Sequence, residues 1–224
     1  EFEEKHDVFL MHGWGMTEMS PLGTANVLSA NELTEPVEVR SGFHAKQGQP
    51  PFGVELRIVD ENDNELPSDG EAFGELQVRG PWIVDSYFAD DSGQLTKDGW
   101  FPTGDVATID ERHRMQVTDR TKDLIKSGGE WISSIDIENA AMGHPGITMA
   151  GVIGVPHEKW GERPMLIVVA ATDPAPTRES VLEHLSGSLA KWQLPDQIIF
   201  VDTLPMGATG KVQKTKLRKQ YGAG

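Results

Sequence analysis

The 224-residue sequence predicts a chain of mixed α and β structure in several parts. These are the edge of an α/β domain, a small antiparallel β-barrel subdomain, and then a separate α+β C-terminal domain. Three observations carry the prediction. An apolar run followed by a glycine-flanked aromatic lies near the start, with the layout of a ligand loop at a sheet edge. Short alternating stretches divided by turns fill residues 50–120. Beyond about residue 131, helix-periodic segments mix with apolar strands.

Taken in order, Glu1-Phe2-Glu3-Glu4-Lys5 has the pattern of the tail of an amphipathic helix, which hints at truncation. Val8–Met11 reads as a short buried strand leading into His12-Gly13-Trp14-Gly15-Met16-Thr17-Glu18. Val54, Leu56 and Ile58 alternate with Glu55 and Arg57, the period-2 sign of a half-buried strand. An acidic turn over Asp60–Glu65 precedes a second alternating stretch, Leu76–Arg79. Val106–Ile109 and Met115–Thr118 flank a polar turn and predict a hairpin. Ser133, with Asp136 three residues on, suggests a capping box opening a helix. Gly151–Val155 and Met165–Ala171 read as strands. Thr177 opens a helix whose Val181, Leu185 and Leu189 recur every four residues. Gln197–Val201 is a further strand and Lys214–Tyr221 a terminal helix.

The boundary between the two folded regions falls within Asp119–Trp131, a charged stretch broken by Gly128-Gly129. Taken alone, it reads as a solvated linker with a sharply bent point.

Composition narrows the function. A net charge of −15 argues against non-specific binding to nucleic acid or anionic membranes, with Lys211–Gln220 as a local basic exception. No apolar run approaches the roughly 20 residues of a membrane span, and no secretory signal pattern opens the chain. The absence of cysteine excludes disulfides, thiolate metal sites and a cysteine nucleophile, and fits a cytoplasmic setting. Any thiol chemistry here needs a thiol from a partner.

Three short segments carry candidate chemistry, each beside a plainer reading. Trp14 fills a core or offers a flat face to a purine, with Gly13 and Gly15 allowing close backbone approach. Thr17 offers a hydroxyl to phosphate and Glu18 a hard oxygen to Mg²⁺. Asp105, in Thr103-Gly104-Asp105, caps a turn or accepts hydrogen bonds from ribose hydroxyls, with Arg120 across the proposed hairpin. Lys211, after Gly207 and Gly210, is a solvated lysine or a mobile ammonium brought to a phosphate or carboxylate. It is not a Walker A lysine, because Val212 stands at the Ser/Thr position. His157-Glu158-Lys159-Trp160-Gly161 lacks the second histidine of a zinc motif.

Together, G-W-G-M-T-E (13–18), T-G-D (103–105), D-R-T-K-D-L-I-K-S-G-G-E (119–130) and P-M-G-A-T-G-K (205–211) resemble the adenylate-forming superfamily. That group includes acyl-CoA synthetases, beetle luciferases and the adenylation domains of peptide synthetases. The form L-I-K-S-G-G-E-W-I-S looks most like medium- or long-chain fatty-acyl-CoA synthetases and their relatives acting on short thio- or aryl-acids. The resemblance implies ATP, Mg²⁺ and CoA as cofactors and a small carboxylic acid, fatty or related, as substrate.

It also implies roles. Trp14 stacks on adenine, Thr17 meets phosphate, Glu18 holds Mg²⁺, and Asp105 with Arg120 binds the ribose. Lys211 bridges the acyl carboxylate and the α-phosphate. Lys122 is the hinge about which a small mobile C-terminal domain (121–224) swings against the large AMP-binding domain (1–120). Lys126 is then brought to the active site as a catalytic residue, Ser127, Gly128, Gly129 and Trp131 serve the CoA side, and the basic C-terminus meets CoA phosphates. Two expectations follow from what this sequence lacks. The upstream Ser/Thr/Gly-rich phosphate loop ending in Pro-Lys-Gly is absent, and complete members are more than twice as long. The chain is therefore expected to be a C-terminal portion, inactive alone and partnered by the missing N-terminal portion, with homo-oligomerisation left open. Trp14 and Met16 contribute at most one wall of the acyl pocket. Transfer to a carrier protein instead of CoA, and a non-catalytic AMP-binding module, stand as alternatives.

Overall fold

A computed structural model gives the fold and describes residues 2–89, 93–171, 174–208 and 210–222. Glu1 of the opening helix pattern and Thr209 of the 205–211 motif lie outside the described residues. The chain divides into two compact units, Glu1–Thr121 and Lys122–Gly224.

The first unit begins with helix α1 (Phe2–His6). Val8–Met11 is not the buried strand its apolar run suggested. A strand needs a neighbour to take its N–H and C=O groups, and among the described residues no strand pairs with this run. Its four side chains are 43%, 49%, 56% and 61% exposed. A two-stranded ribbon follows, β1 (Gly13–Trp14) against β2 (Thr24–Ala25), then helix α2 (Val37–His44), which the sequence reading missed.

Four strands form an antiparallel meander: β3 (Glu55–Val59), β4 (Phe73–Arg79), β5 (Phe101–Ile109) and β6 (Met115–Arg120). The expected barrel is instead an open sheet among the described residues. Four strands are too few to close around a filled interior, since even the small OB barrel takes five. Single bridges from Gly48 to Met115 and from Ala25 to Gln49 extend its β6 edge towards the ribbon. Ile58, Leu76, Ala107, Ile109 and Met115 are the buried residues of one core cluster. Just before β5, the Trp100 ring contacts two guanidiniums, with Arg57 at 4.5 Å and Arg79 at 4.6 Å from its centroid.

A buried ion cluster ties the meander to the segment before α2. Glu32 receives Arg114 Nη2 at 2.6 Å, Arg112 Nη1 at 2.8 Å, and the N–H and hydroxyl of Ser29, each at 2.8 Å. Arg114 is 4% exposed and its guanidinium lies 5.0 Å from the Phe43 ring.

The second unit is a five-stranded mixed sheet covered on both faces. Its strands are β7 (Ile125–Ser127), β8 (Glu130–Ile132), β9 (Ile147–His157), β10 (Gly161–Ala170) and β11 (Gln197–Phe200). Helix α3 (Ser134–Met142) starts as expected, with Ser133 Oγ accepting the Asp136 N–H at 3.1 Å. Helix α4 (Arg178–Ser186) is capped by Thr177 and stops before Gly187, so Leu189 joins the core from beyond the helix. Helix α5 (Lys214–Tyr221) ends the unit.

Alternate strand residues feed two cores. Val152, Leu166 and Val168 pack with Ile137, Ala141, Val181 and Leu185 of α3 and α4. Ile153, Met165 and Ile167 pack with Leu204 and Leu217, the latter on α5. Burial on both faces explains why these strands read as continuous apolar runs rather than alternating ones.

The Glu32 cluster generates a pH prediction. The Arg114 guanidinium on its carboxylate outweighs burial and, with Ser29, holds Glu32 at about 2 rather than the usual 4.5. A depressed carboxylate stabilises the fold above its unfolded pKa, and that stabilisation is lost as pH falls through the folded value. The first unit should therefore lose stability between about pH 4.5 and about pH 2. Glu32→Gln should remove this part of the dependence. At neutral pH it should cost about 3–5 kcal/mol, because Arg114 is left buried without its counter-charge. Urea melts across that pH range check both.

Candidate functional site

In the first unit the site is built on a bulge. Glu75 pairs with Val106 and Gln77 with Pro102, so Thr103-Gly104-Asp105 stands opposite the single residue Leu76. A bulge of this kind bends the strand and re-aims a side chain. Thr103 pins it, donating its hydroxyl to Leu76 O at 2.8 Å and accepting the Asp105 N–H at 3.1 Å. Gly104 supplies the positive φ of 73°, and its carbonyl accepts the Thr121 N–H at 3.0 Å.

Asp105 is thereby presented to two partners. Trp14 Nε1 donates to Oδ2 at 2.9 Å, and Arg120 Nε lies 3.6 Å from Oδ1. Asp105 and Arg120 are also direct partners in the ladder between β5 and β6. A carboxylate has about four acceptor sites, so Asp105 keeps acceptor capacity after these contacts.

Trp14 fills a core position. It is half-buried and packs against both apolar clusters of the unit. Its indole N–H, which the sequence reading did not use, orients Asp105. Gly15 is required sterically, since a Cβ there would lie 1.8 Å from Pro21 O. Gly13 pairs with Ala25 in the ribbon.

Thr17 and Glu18 lie on a single 3₁₀ turn, Thr17–Met19, with Thr17 exposed. Glu18 accepts the Tyr87 hydroxyl on Oε1 at 2.7 Å. Among the described residues, no group of three or more His, Cys, Asp or Glu is placed to hold a metal. A lone carboxylate still suits Mg²⁺ carried on a nucleotide, because that ion takes one or two protein carboxylates and fills its shell with phosphate and water.

In the second unit, Gly128-Gly129 is the two-residue loop of a β-hairpin. Ser127 pairs with Glu130, Lys126 with Trp131 and Ile125 with Ile132. Both glycines have positive φ, 63° and 91°, as a type I′ turn demands. What read as a linker is therefore mostly strand: Asp119 and Arg120 end β6, and the hairpin follows Lys122, which is exposed in a turn.

The two glycines differ. A Cβ on Gly128 would meet the Trp160 ring at 2.8 Å, whereas one on Gly129 would meet nothing within 4 Å. The Gly128 N–H also donates to Trp160 O at 2.8 Å. Lys126 Nζ lies 5.3 Å from the Trp131 ring, and its backbone N–H donates to Glu162 Oε2 at 3.1 Å. A cavity of about 470 Å³ opens beside this hairpin, with Ser127, Gly128, Trp160 and Trp192 on its walls.

Lys211 is exposed at the base of a separate loop. The Met206–Val212 bridge closes that loop, as does the Gly207 N–H donating to Lys211 O at 2.8 Å. Two of the C-terminal cations have structural partners: Lys214 pairs with Glu138 at 2.9 Å and Arg218 with Asp123 at 2.6 Å.

Comparison with known proteins places this arrangement. Residues 1–88 match the AMP-binding enzyme family and residues 136–211 the AMP-binding enzyme C-terminal domain. The chain belongs to the AMP-binding, adenylate-forming enzymes. It is 54% identical, over 98% of its length, to a 3-methylmercaptopropionyl-CoA ligase of Ruegeria lacuscaerulensis. It is 46% identical, over 99% of its length, to a medium-chain-fatty-acid–CoA ligase of Ectopseudomonas oleovorans. Among solved structures it resembles ATP-bound MatB from Rhodopseudomonas palustris, with a TM-score of 0.82, 32% identity, and coverage of 99% of this chain and 42% of that one. The chain spans about 41% of the length of the two curated relatives.

Tyr87, Trp160 and Trp192 are site neighbours that no sequence motif marks. The last two signalled themselves only as exposed-segment tryptophans, in Glu158-Lys159-Trp160 and Lys191-Trp192-Gln193.

The two hairpin glycines should respond unequally to alanine. Each substitution carries the left-handed backbone cost of about 1–2 kcal/mol. Gly128→Ala should cost about 1–3 kcal/mol more, because its methyl must displace an indole ring. Urea unfolding of the two variants checks the order, and adding Trp160→Ala to Gly128→Ala should recover part of the extra loss.

Proposed function

We propose that this chain is the C-terminal portion of an ATP-dependent acid:CoA ligase, inactive as an adenylating enzyme by itself. The observation that carries the reading is the Asp105 carboxylate, aimed by a bulge and held between Trp14 Nε1 and Arg120. Its remaining acceptor sites suit a vicinal diol such as the hydroxyls of ribose. The two relatives, both named as CoA ligases, support the overall reaction.

In the first half-reaction, a carboxylate oxygen of the acid attacks the α-phosphorus of ATP and pyrophosphate leaves. In the second, the CoA sulfur attacks the acyl carbon, AMP leaves, and the thiol proton is lost. Trp14 faces the adenine, Thr17 a phosphate oxygen, and Glu18 the Mg²⁺ that accompanies the nucleotide. Lys211 sets its charge between the acyl carboxylate and the α-phosphate, where charge develops during adenylation. Residues 1–120 belong to the large AMP-binding domain and 121–224 to a small domain that turns about Lys122. After the turn, Lys126, Ser127, Gly128, Gly129 and Trp131 face the thiol substrate. Gly129, rather than Gly128, offers the open backbone, because Trp160 already occupies the space beside Gly128. The acid is a short methylthio-substituted carboxylic acid or a fatty acid, by likeness to the acids for which the relatives are named. The setting is cytoplasmic.

The test separates the half-reactions in the complete enzyme that carries this chain. Lys211→Ala should lower ATP–pyrophosphate exchange by about 10²–10³, the value of one preorganised charge. Thioester formation from supplied acyl-adenylate should stay within about twofold of the unsubstituted enzyme, since that step begins after the α-phosphate has reacted. Undiminished exchange would refute the role given to Lys211.

A further inference from the structure

The cavity beside the glycine hairpin is organised by a residue that the roles above do not use. Arg163 lies near the start of β10, with its side chain only 11% exposed. Its guanidinium ties β10 to two separate pieces of chain, the end of β7 and the 192–196 segment. Nη1 donates to Ser127 Oγ at 3.1 Å and to Trp192 O at 2.6 Å. Nη2 donates to Leu194 O and to Asp196 Oδ1, each at 2.9 Å. Nε is shared between the two Asp196 oxygens, both at 3.1 Å.

A guanidinium has five N–H donors and no acceptor. Two on Nη1, two on Nη2 and one on Nε are all engaged by protein oxygens here. Arg163 therefore has no donor left for a phosphate or carboxylate, although it lines the cavity. Its planar fork is used to set distances between other groups.

Of those groups, Ser127, Trp192 and Asp196 line the cavity. Ser127 is the last residue before the glycine turn, and Gly128 is locked to Trp160 by a hydrogen bond and by ring contact. Trp192 lies on a 3₁₀ turn, Lys191–Gln193, and is 45% exposed. One buried cation thus fixes the spacing between the Ser127-Gly128 corner and the Trp192 turn. Lys211 and its loop share none of these contacts.

We propose that Arg163 is the positioning residue of the thiol-accepting half-reaction, holding the glycine hairpin and the Trp192 turn, which both line the cavity, at one fixed separation. This rests on the ligase reading, in which the hairpin serves the CoA side. Misplacement of a reacting group by about 1 Å can cost about 10²-fold, so loss of the clamp should fall on thioester formation and leave adenylation alone.

Two experiments test it and separate its failure from that of the ligase reading. The first uses the 224-residue chain and needs no activity. In a ¹H–¹⁵N spectrum, Arg163→Ala should shift or broaden the indole signals of Trp160 and Trp192 while leaving that of Trp14 in place. Unmoved Trp160 and Trp192 signals would overturn the clamp.

The second uses the complete enzyme, following ATP–pyrophosphate exchange alongside thioester formation from supplied acyl-adenylate at varied CoA. Arg163→Ala should raise the KM for CoA about 10–100-fold, with exchange held within about twofold. Arg163→Lys, with three rotatable donors in place of a planar fork, should recover only part of the loss. Asp196→Asn, which weakens the anchor without touching the hairpin, should give a smaller effect in the same direction. An unchanged KM for CoA, or equal loss of both half-reactions, would contradict the positioning role. Absence of exchange in the unsubstituted enzyme would instead remove the ligase reading, and the catalytic part of the proposal with it.

Discussion

Asp105 is where the constraints on the first unit converge. Its direction comes from three residues of β5 set opposite one residue of β4, a mismatch held by Thr103 and relieved by the positive φ of Gly104. The carboxylate then takes an indole N–H from the ribbon and faces a guanidinium from β6. The ribbon, bulge and hairpin edge are thus tied through one carboxyl group. A hydrogen bond to a charged group contributes about 1.5–3 kcal/mol, enough to hold the indole while leaving carboxylate lone pairs for a ligand.

The second unit meets a different requirement, that of carrying short functional loops on a rigid base. Its sheet is buried on both faces, with α3 and α4 on one side and α5 on the other. The glycine hairpin extends from this base, and the Lys211 loop is closed by its own bridge. Cations that look alike in sequence act differently here. Lys214 and Arg218 brace the unit through Glu138 and Asp123, Arg163 spends every donor on protein oxygens, and Lys211 is exposed. The basic C-terminus is thereby partly a structural feature, which weakens its case as a phosphate site.

Most elements were legible in the sequence where local chemistry decided them. The Ser133 and Thr177 caps, the alternation of Leu56 and Ile58, and the polar turn between β5 and β6 each act within a few residues. What failed depended on distant partners. The Val8–Met11 run has the composition of a strand, but pairing decides whether a strand forms. Several short strands with turns between them suggested a barrel, and closure depends on strand number rather than pattern. The charged stretch over 119–131 hid a hairpin because Gly128-Gly129 is equally compatible with a flexible break and a type I′ turn. In the site, residue types in motif order pointed to Trp14, Asp105 and Arg120. The indole-to-carboxylate bond, the Gly128–Trp160 contact and the Arg163 clamp span 91, 32 and 36 positions and left no local trace.

The central claim is that one carboxylate anchors the nucleotide through the whole reaction. Asp105→Asn in the complete enzyme tests it most directly, since the amide keeps the shape and loses the charge. In the proposed reaction, nucleotide is present in both half-reactions, as ATP and then as the acyl-adenylate. The KM for ATP in pyrophosphate exchange and the KM for supplied acyl-adenylate in thioester formation should therefore both rise, by about 10–100-fold for a lost charge-assisted hydrogen bond. A rise in only one of them, or in neither, would contradict the assignment.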